Sequence, residues 1–386
     1  MADINKVIDM DCKPLTHKTA WSPDGKSFCF DAANKKGVYN VWSSDTKEQT
    51  MGKVTKGDEK VMPLWSPNGD KLLYCSKTDS YTYLKIADID GKHSHELNIH
   101  NARDKALFPL WNAAESKVIY LKKGKLIIMN ASATDQKELG RGTLTPSPYW
   151  LTEKKKQITL QYTESGTIWR IFTIKPNGRK NKQIFEEVCE NLAQPKWSYD
   201  GSSVVTAANY KEDSSMWRLD KDGKFKTRIY TTKHKISELE WDSTSKRIAF
   251  IVKKTNVSSV WWDVFKELFF GANPNTEELW VVNNDGTNPM DLYTARKMIN
   301  HMSWNDQGTK LAFDETYHVI YFQPDITVVK IVHAIGGEKW DLLPYEFYGQ
   351  SPTWSANGHV LAYISWRDFW KMSLVDEYGL WVAQLK

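Results

Sequence analysis

Cysteine is scarce in this chain of 386 residues, numbering four. Cys12, Cys29, Cys75 and Cys189 stand far apart and form no Cys-x-x-Cys pair, which excludes a zinc knuckle and a haem-attachment motif. Long apolar runs are missing too. None reaches the roughly 18 residues that a membrane-spanning helix needs, and Met1-Ala-Asp-Ile-Asn-Lys6 lacks the apolar stretch of a signal peptide. The expectation is a soluble protein without a transmembrane segment, either cytoplasmic or exported and given as its mature chain.

Motifs for common chemistry are also absent. There is no Gly-x-Ser-x-Gly nucleophile turn. There is no P-loop and no Gly-x-Gly-x-x-Gly phosphate cradle. His93-Ser-His95, near Asp88 and Asp90, is the one metal-like group, and its place on a turn reads as a solvent-facing loop. Asp24 and Asp200 lie in Asp-Gly turns, where turn chemistry explains an acid without a cation. No catalytic residue, cofactor or metal ligand is assigned. The net charge of +5 is mild for this length. Its lysines are scattered (Lys154 to Lys156, Lys180, Lys221, Lys224, Lys226), so solvated turns are expected rather than a nucleic-acid partner.

What the chain has in plenty is tryptophan, 18 residues of it. Eight of them each open a turn-like segment followed by an apolar β run: Trp21, Trp65, Trp111, Trp150, Trp197, Trp241, Trp304 and Trp354. The steps between them are 44, 46, 39, 47, 44, 63 and 50 residues. A period of this size, built from short strands, predicts one small sheet per repeat, arranged radially as a β-propeller. The second repeat shows the unit. Met62–Trp65 is a first strand, Ser66-Pro-Asn-Gly69 a tight turn, and Lys71–Cys75, Tyr83–Ala87 and His95–Ile99 the next three strands. The third strands elsewhere share a form: Ile168-Trp-Arg-Ile171, Met216-Trp-Arg-Leu219, Leu279-Trp-Val-Val282 and Leu380-Trp-Val-Ala383.

Trp-Ser-Pro-Asp-Gly-Lys26 before an apolar strand, with Pro two residues before Trp in five repeats (Pro63, Pro109, Pro148, Pro195, Pro352), resembles the TolB-type propeller repeat. That repeat is also called the WD40-like or PD40 repeat. The later Leu-x-x-x-Asp-x-Asp-Gly91 of the second repeat belongs to the same likeness. It covers nearly the whole chain. It is strong in repeats one, two, five and eight and degenerate in three, four and six. True WD40 repeats place Trp-Asp at the end of the third strand. Trp241-Asp242, Trp262-Asp263 and Trp340-Asp341 sit elsewhere, so that sibling family does not fit.

The expected fold is all-β: a single propeller domain over 1–386 with eight four-stranded blades, seven being the alternative. The last repeat ends on its third strand, while Asn5–Met10 is a spare β segment. The two ends are expected to pair, the N-terminal strand completing the C-terminal blade and removing open edges. Three insertions break the repeat, at about 256–276, 316–337 and 366–374. Apolar spacing at 261, 264, 265, 268 and 269 predicts a short helix in the first, in blade six.

By strand parity the insertions of blades six and eight emerge on one face. Trp261, Trp262, Phe265, Phe269, Phe270, Trp366, Phe369 and Trp370 would then form one aromatic surface. The functional expectation is a non-catalytic platform that docks protein partners as a subunit of a larger complex, with no cofactor. The competing expectation is an enzyme or a small-ligand or metal-binding propeller with its site at the mouth of the central channel.

Overall fold

The computed structural model describes residues 3–10, 13–14, 20–33, 39–45, 50–55, 63–77, 81–101, 109–112, 116–123, 125–141, 158–163, 166–174, 182–255, 275–295, 298–317, 326–335, 339–341, 348–355, 358–367 and 377–384. All regular structure among them is β-strand, so no described helix is long and apolar enough to cross a membrane. The strands assort into separate antiparallel sheets, and the fold is an all-β propeller.

Six sheets are complete blades, each drawn from one run of chain: 13–53, 64–101, 110–141, 191–232, 235–294 and 298–341. Two others depart from this plan. The 158–188 sheet has three strands among the described residues, and Trp150 lies outside them. The last sheet joins both chain ends in the order Asp3–Met10, Glu377–Gln384, Val360–Arg367, Tyr348–Trp354. Ile4 faces Ala383 and Met10 faces Tyr378, as the spare N-terminal segment led us to expect. The expectation of eight four-stranded blades, with seven as the alternative, is therefore corrected to six complete blades among the described residues. In the Trp21 and Trp197 sheets, moreover, the first strand is broken in two, which raises their strand count to five.

The described residues touch the insertions in part. Within 316–337, Ile326–His333 is a third strand, whose Val332 faces Leu311 of the second strand. The β-branched run Ile326-Thr-Val-Val-Lys-Ile-Val332 carries none of the Leu-Trp pattern of other third strands, which hid it. The second strand of the last sheet continues through Trp366 to Arg367, so the third insertion starts later than 366. Asn275 and Thr276 already belong to a strand, opposite Thr255 and Lys254. The rest of the first insertion, with its expected helix, lies outside the described residues.

The core lies between sheets. Four repeat tryptophans pack on the sheet before their own: Trp65 on Cys29 and Val41, Trp111 on Leu73 and Leu84, Trp241 on Val205 and Met216, Trp304 on Ile251 and Leu279. Trp197 and Trp241 are each 1% exposed. In two of the four the indole N–H finds an acceptor in the same neighbour. Trp241 Nε1 donates to the Lys196 carbonyl at 3.0 Å and Trp304 Nε1 to the Glu240 carbonyl at 3.2 Å. Lys196 and Glu240 each sit just before the neighbour's own tryptophan. First strands of successive sheets touch, from 235–241 through 298–304, 348–354 and 20–21 to 64–65, so they form the inner wall of the ring.

The residue after each tryptophan organises the turn. Its side chain accepts the backbone N–H five residues after itself, at 2.7 to 3.1 Å: Ser22 from Ser27, Ser66 from Lys71, Asn112 from Lys117, Ser198 from Ser203, Asp242 from Arg247, Asn305 from Lys310 and Ser355 from Val360. Four residues after tryptophan the backbone is left-handed, and glycine fills the position in most sheets. In the Trp241 sheet Ser245 takes it at φ 60°, and its Oγ accepts the Asp200 N–H of the preceding sheet at 3.0 Å.

Candidate functional site at the axis of the ring

Three neighbouring inner strands carry a bulge at one repeat position, three residues before tryptophan. Glu238, His301 and Ser351 stand there at φ 42°, 39° and 54°, where the pairing register slips. Left-handed backbone is costly for residues with a Cβ, and bulges turn a side chain away from the regular alternation. The strain therefore falls on the innermost strands of the Trp241, Trp304 and Trp354 sheets.

His301 is the chemically distinctive member. Its Nδ1 lies 2.9 Å from Asp314 Oδ1 and 3.3 Å from Oδ2. Asp314 comes from the second strand of the same sheet and is 1% exposed, whereas the imidazole is 33% exposed. A buried carboxylate on Nδ1 fixes ring orientation and selects the tautomer whose lone pair sits on Nε2. The ring thus presents Nε2 as an oriented acceptor. Beside it Asn300 Nδ2 donates to Thr316 Oγ1 at 3.2 Å, and Thr316 shares a hydrogen bond of 3.0 Å with Thr327. Further along the inner wall, Lys196 Nζ meets Glu240 Oε2 of the next sheet at 3.0 Å.

Asp31 occupies in the Trp21 sheet the position that Asp314 holds in its own, ten residues after tryptophan. It is 3% exposed, and its Oδ1 has no hydrogen-bond partner. Burial pushes its carboxyl up to about 7.

Several other buried polar groups join one sheet to the next. Gln161 Nε2 donates to the Leu192 carbonyl at 2.9 Å. Asn209 donates to the Ile236 carbonyl at 3.0 Å and accepts the Ile236 N–H at 2.7 Å. Glu277 Oε2 accepts the Ile299 N–H at 2.7 Å. Leu192, Ile236 and Ile299 all lie five residues before tryptophan, so one backbone position is held by three kinds of side chain. Tyr293 donates to Glu315 at 2.7 Å between the Trp241 and Trp304 sheets. These groups satisfy buried backbone and carry structure rather than chemistry.

Of the aromatic residues expected to bind a partner, Trp261, Trp262, Phe265, Phe269, Phe270, Phe369 and Trp370 lie outside the described residues. Trp366 is a strand residue between Tyr348 and Tyr378, not part of an insertion. His93 and His95 diverge. Nδ1 of the first meets Asp88 Oδ2 at 3.0 Å, and Nε2 of the second meets the Ala131 carbonyl at 3.0 Å. Asp24 accepts from Ser22 Oγ at 2.6 Å and from the Lys26 N–H at 3.1 Å, and these bonds hold its carboxyl below the usual range. Asp200 repeats the pattern with Ser198 and Ser202. Sequence reasoning missed His301 and Asp314. The signal was a polar residue at repeat positions where other sheets put Ala207, Ile251 or Cys75.

No family model matches the sequence, and no curated protein matches it either. Solved structures do. An oligogalacturonate lyase in complex with manganese matches at a TM-score of 0.57 and 11% identity, over 99% of this chain and 98% of that one. A eukaryotic initiation factor matches at 0.58 and 11%, over 95% and 85%. Prolyl endopeptidases match at 0.61 and 9%, over 94% of this chain and 55% of theirs. At such identities the likeness is one of fold. An oligogalacturonate lyase from Vibrio parahaemolyticus matches at 0.57 and 10%, over 97% of this chain and 99% of that one.

Proposed function

We propose that this propeller binds a small polar ligand at the axis of the ring, where the bulged strands of the Trp241, Trp304 and Trp354 sheets meet. The observation behind this reading is His301. A left-handed histidine on an innermost strand, clamped by a buried aspartate, is a strained and oriented group that the fold alone does not require. Glu238 and Ser351 at the equivalent bulges offer further polar contacts. Folds like this one occur both in a lyase and in peptidases, so the scaffold is compatible with chemistry on the bound ligand.

The test is a thermal-shift screen of polar metabolites and divalent salts on wild type, His301→Ala and Asp314→Asn. A ligand at a hundred times its Kd should stabilise wild type by about 2.7 kcal/mol. Both variants should lose that gain. Equal stabilisation of all three proteins would place the ligand elsewhere.

One observation supports a second role. Lys253 meets Glu277 at 2.9 Å and Lys254 pairs with Glu278, so the stem of the 256–274 segment is stapled by two ion pairs. A fixed stem suits a segment that presents Trp262 and Phe269 to a protein partner. Replacing Trp262, Phe269 and Trp370 together by Ser should abolish co-purification with such a partner and leave the melting temperature within a few degrees. A large drop in melting temperature with binding retained would assign these side chains to the fold.

A further inference from the structure

On a different sheet from His301, three lysines meet at one hairpin. The second and third strands of the Trp111 sheet, Lys117–Lys122 and Lys125–Asn130, are joined by Lys123-Gly124. Lys122 and Lys125 face each other directly across the pair. Arg141 of the fourth strand is in turn paired with Lys125 in the backbone register. Like charges directly opposite destabilise a sheet. Lys123 adds strain, holding φ 51° where glycine or asparagine fits best. A hairpin built for stability alone would carry none of these features.

The lysines line a cleft of about 480 Å³ together with Ile127, Gln136 and Glu138. Glu138 is the one carboxylate of the lining, and it lies 2.9 Å from Lys125 Nζ. The lining keeps a net positive charge beyond that pair. Its volume is within the ~300–1,000 Å³ of small-molecule sites.

The geometry points to an anion site in this cleft, for a small ligand carrying two or more phosphate groups. Lysine binds phosphate as a point charge, and several ammonium groups around one cleft suit a multiply charged anion better than a single carboxylate. The charges are gathered in a cleft instead of running as a stripe along the surface, which favours a compact ligand over a nucleic-acid strand. A bound polyanion would neutralise the repulsion that the empty hairpin carries.

Calorimetric titration of the full chain with sodium tripolyphosphate, at about 50 mM and about 200 mM salt, tests this. Wild type should bind one equivalent saturably and more weakly at the higher salt. Lys122→Gln with Lys123→Gln should weaken binding roughly tenfold or more. Lys221→Gln with Lys224→Gln, which removes equal charge from another sheet, should leave it unchanged. Absence of saturation at millimolar tripolyphosphate, or equal loss in both double variants, would overturn the proposal. A single-stranded RNA that binds wild type more tightly than tripolyphosphate, and loses this in the first double variant, would overturn the small-ligand assignment. Melting of the free protein gives an independent check, because Lys122→Gln relieves the cross-strand repulsion. Its melting temperature should rise, and a fall would refute the strain on which the argument rests.

Discussion

The Trp21 indole N–H donates to the carbonyl of Thr353 at 3.0 Å, across 332 residues of sequence. It is the same bond that Trp241 makes to Lys196 and Trp304 to Glu240. Here it ties the first sheet to the last, beside the pairing of Asp3–Met10 with Glu377–Gln384. Closure thus has two parts, and they can be separated. Deleting residues 1–10 exposes the edge of 377–384 and should lower the melting temperature clearly and promote aggregation. Trp21→Phe should cost far less through the lost bond, about 1 kcal/mol, with a further loss from the smaller ring. Melting curves and light scattering on both variants check the order. A deletion variant that melts with wild type and stays monodisperse would show that the ring does not depend on its N-terminal strand.

The tryptophans between sheets should be costly to lose. Trp197 and Trp241 are buried against the preceding sheet, so either change to Ala should cost about 3–5 kcal/mol. Urea unfolding measures it. A loss under about 1 kcal/mol would mean that the inter-sheet slabs repack without them.

Asp31 makes stability depend on pH in an unusual direction. Its carboxyl titrates near 7 in the fold, against an ordinary value of 3.8. Between those values the unfolded chain has released a proton that the folded chain keeps. This group's contribution therefore falls as pH rises from about 4 to about 7 and is level above that. A displacement of this size corresponds to a few kcal/mol. Asp31→Asn stays neutral throughout. The variant should gain on wild type between pH 5 and pH 8 in urea unfolding, and a constant difference between the two would disprove the assignment.

Gly286 sits at φ 89° in the turn after the third strand of the Trp241 sheet, and a Cβ there would lie 2.7 Å from the Ile229 carbonyl oxygen. Both the backbone conformation and the neighbour refuse alanine. Gly286→Ala should lose more than the ~1 kcal/mol usual for a left-handed glycine alone, because the preceding sheet must also yield. Asn284→Ala nearby removes the bond from its Nδ2 to the Ser245 carbonyl without a clash and serves as the control.

The repeat was legible because a few residue types do all its visible work. Tryptophan needs a slab to lie in, Ser22 or Asp242 caps its turn, and Gly25 or Gly308 accepts the positive φ. The pairing of the two chain ends was legible as well, since a missing fourth strand and a spare β segment complement each other. The inner strands were not. A bulge inserts one residue without any composition of its own, so nothing around Glu238, His301 or Ser351 marks the slip. The inter-sheet clamps were equally silent, because Gln161, Asn209 and Glu277 all address backbone groups and any of several polar side chains can do so. His301 and Asp314 lie 13 positions apart, and only the hairpin of first and second strands brings them together.

The indole-to-carbonyl bond asks nothing of the side chain of the residue whose carbonyl accepts it. Lys196, Glu240 and Thr353 each lend only a main-chain oxygen, which every amino acid owns. Mechanical cohesion and inner-wall chemistry are thereby written in different atoms of the same residue. A lineage can repaint the lumen, cation for anion or hydroxyl for methyl, and keep these indole joints between its walls even where the Lys196–Glu240 ion pair is lost.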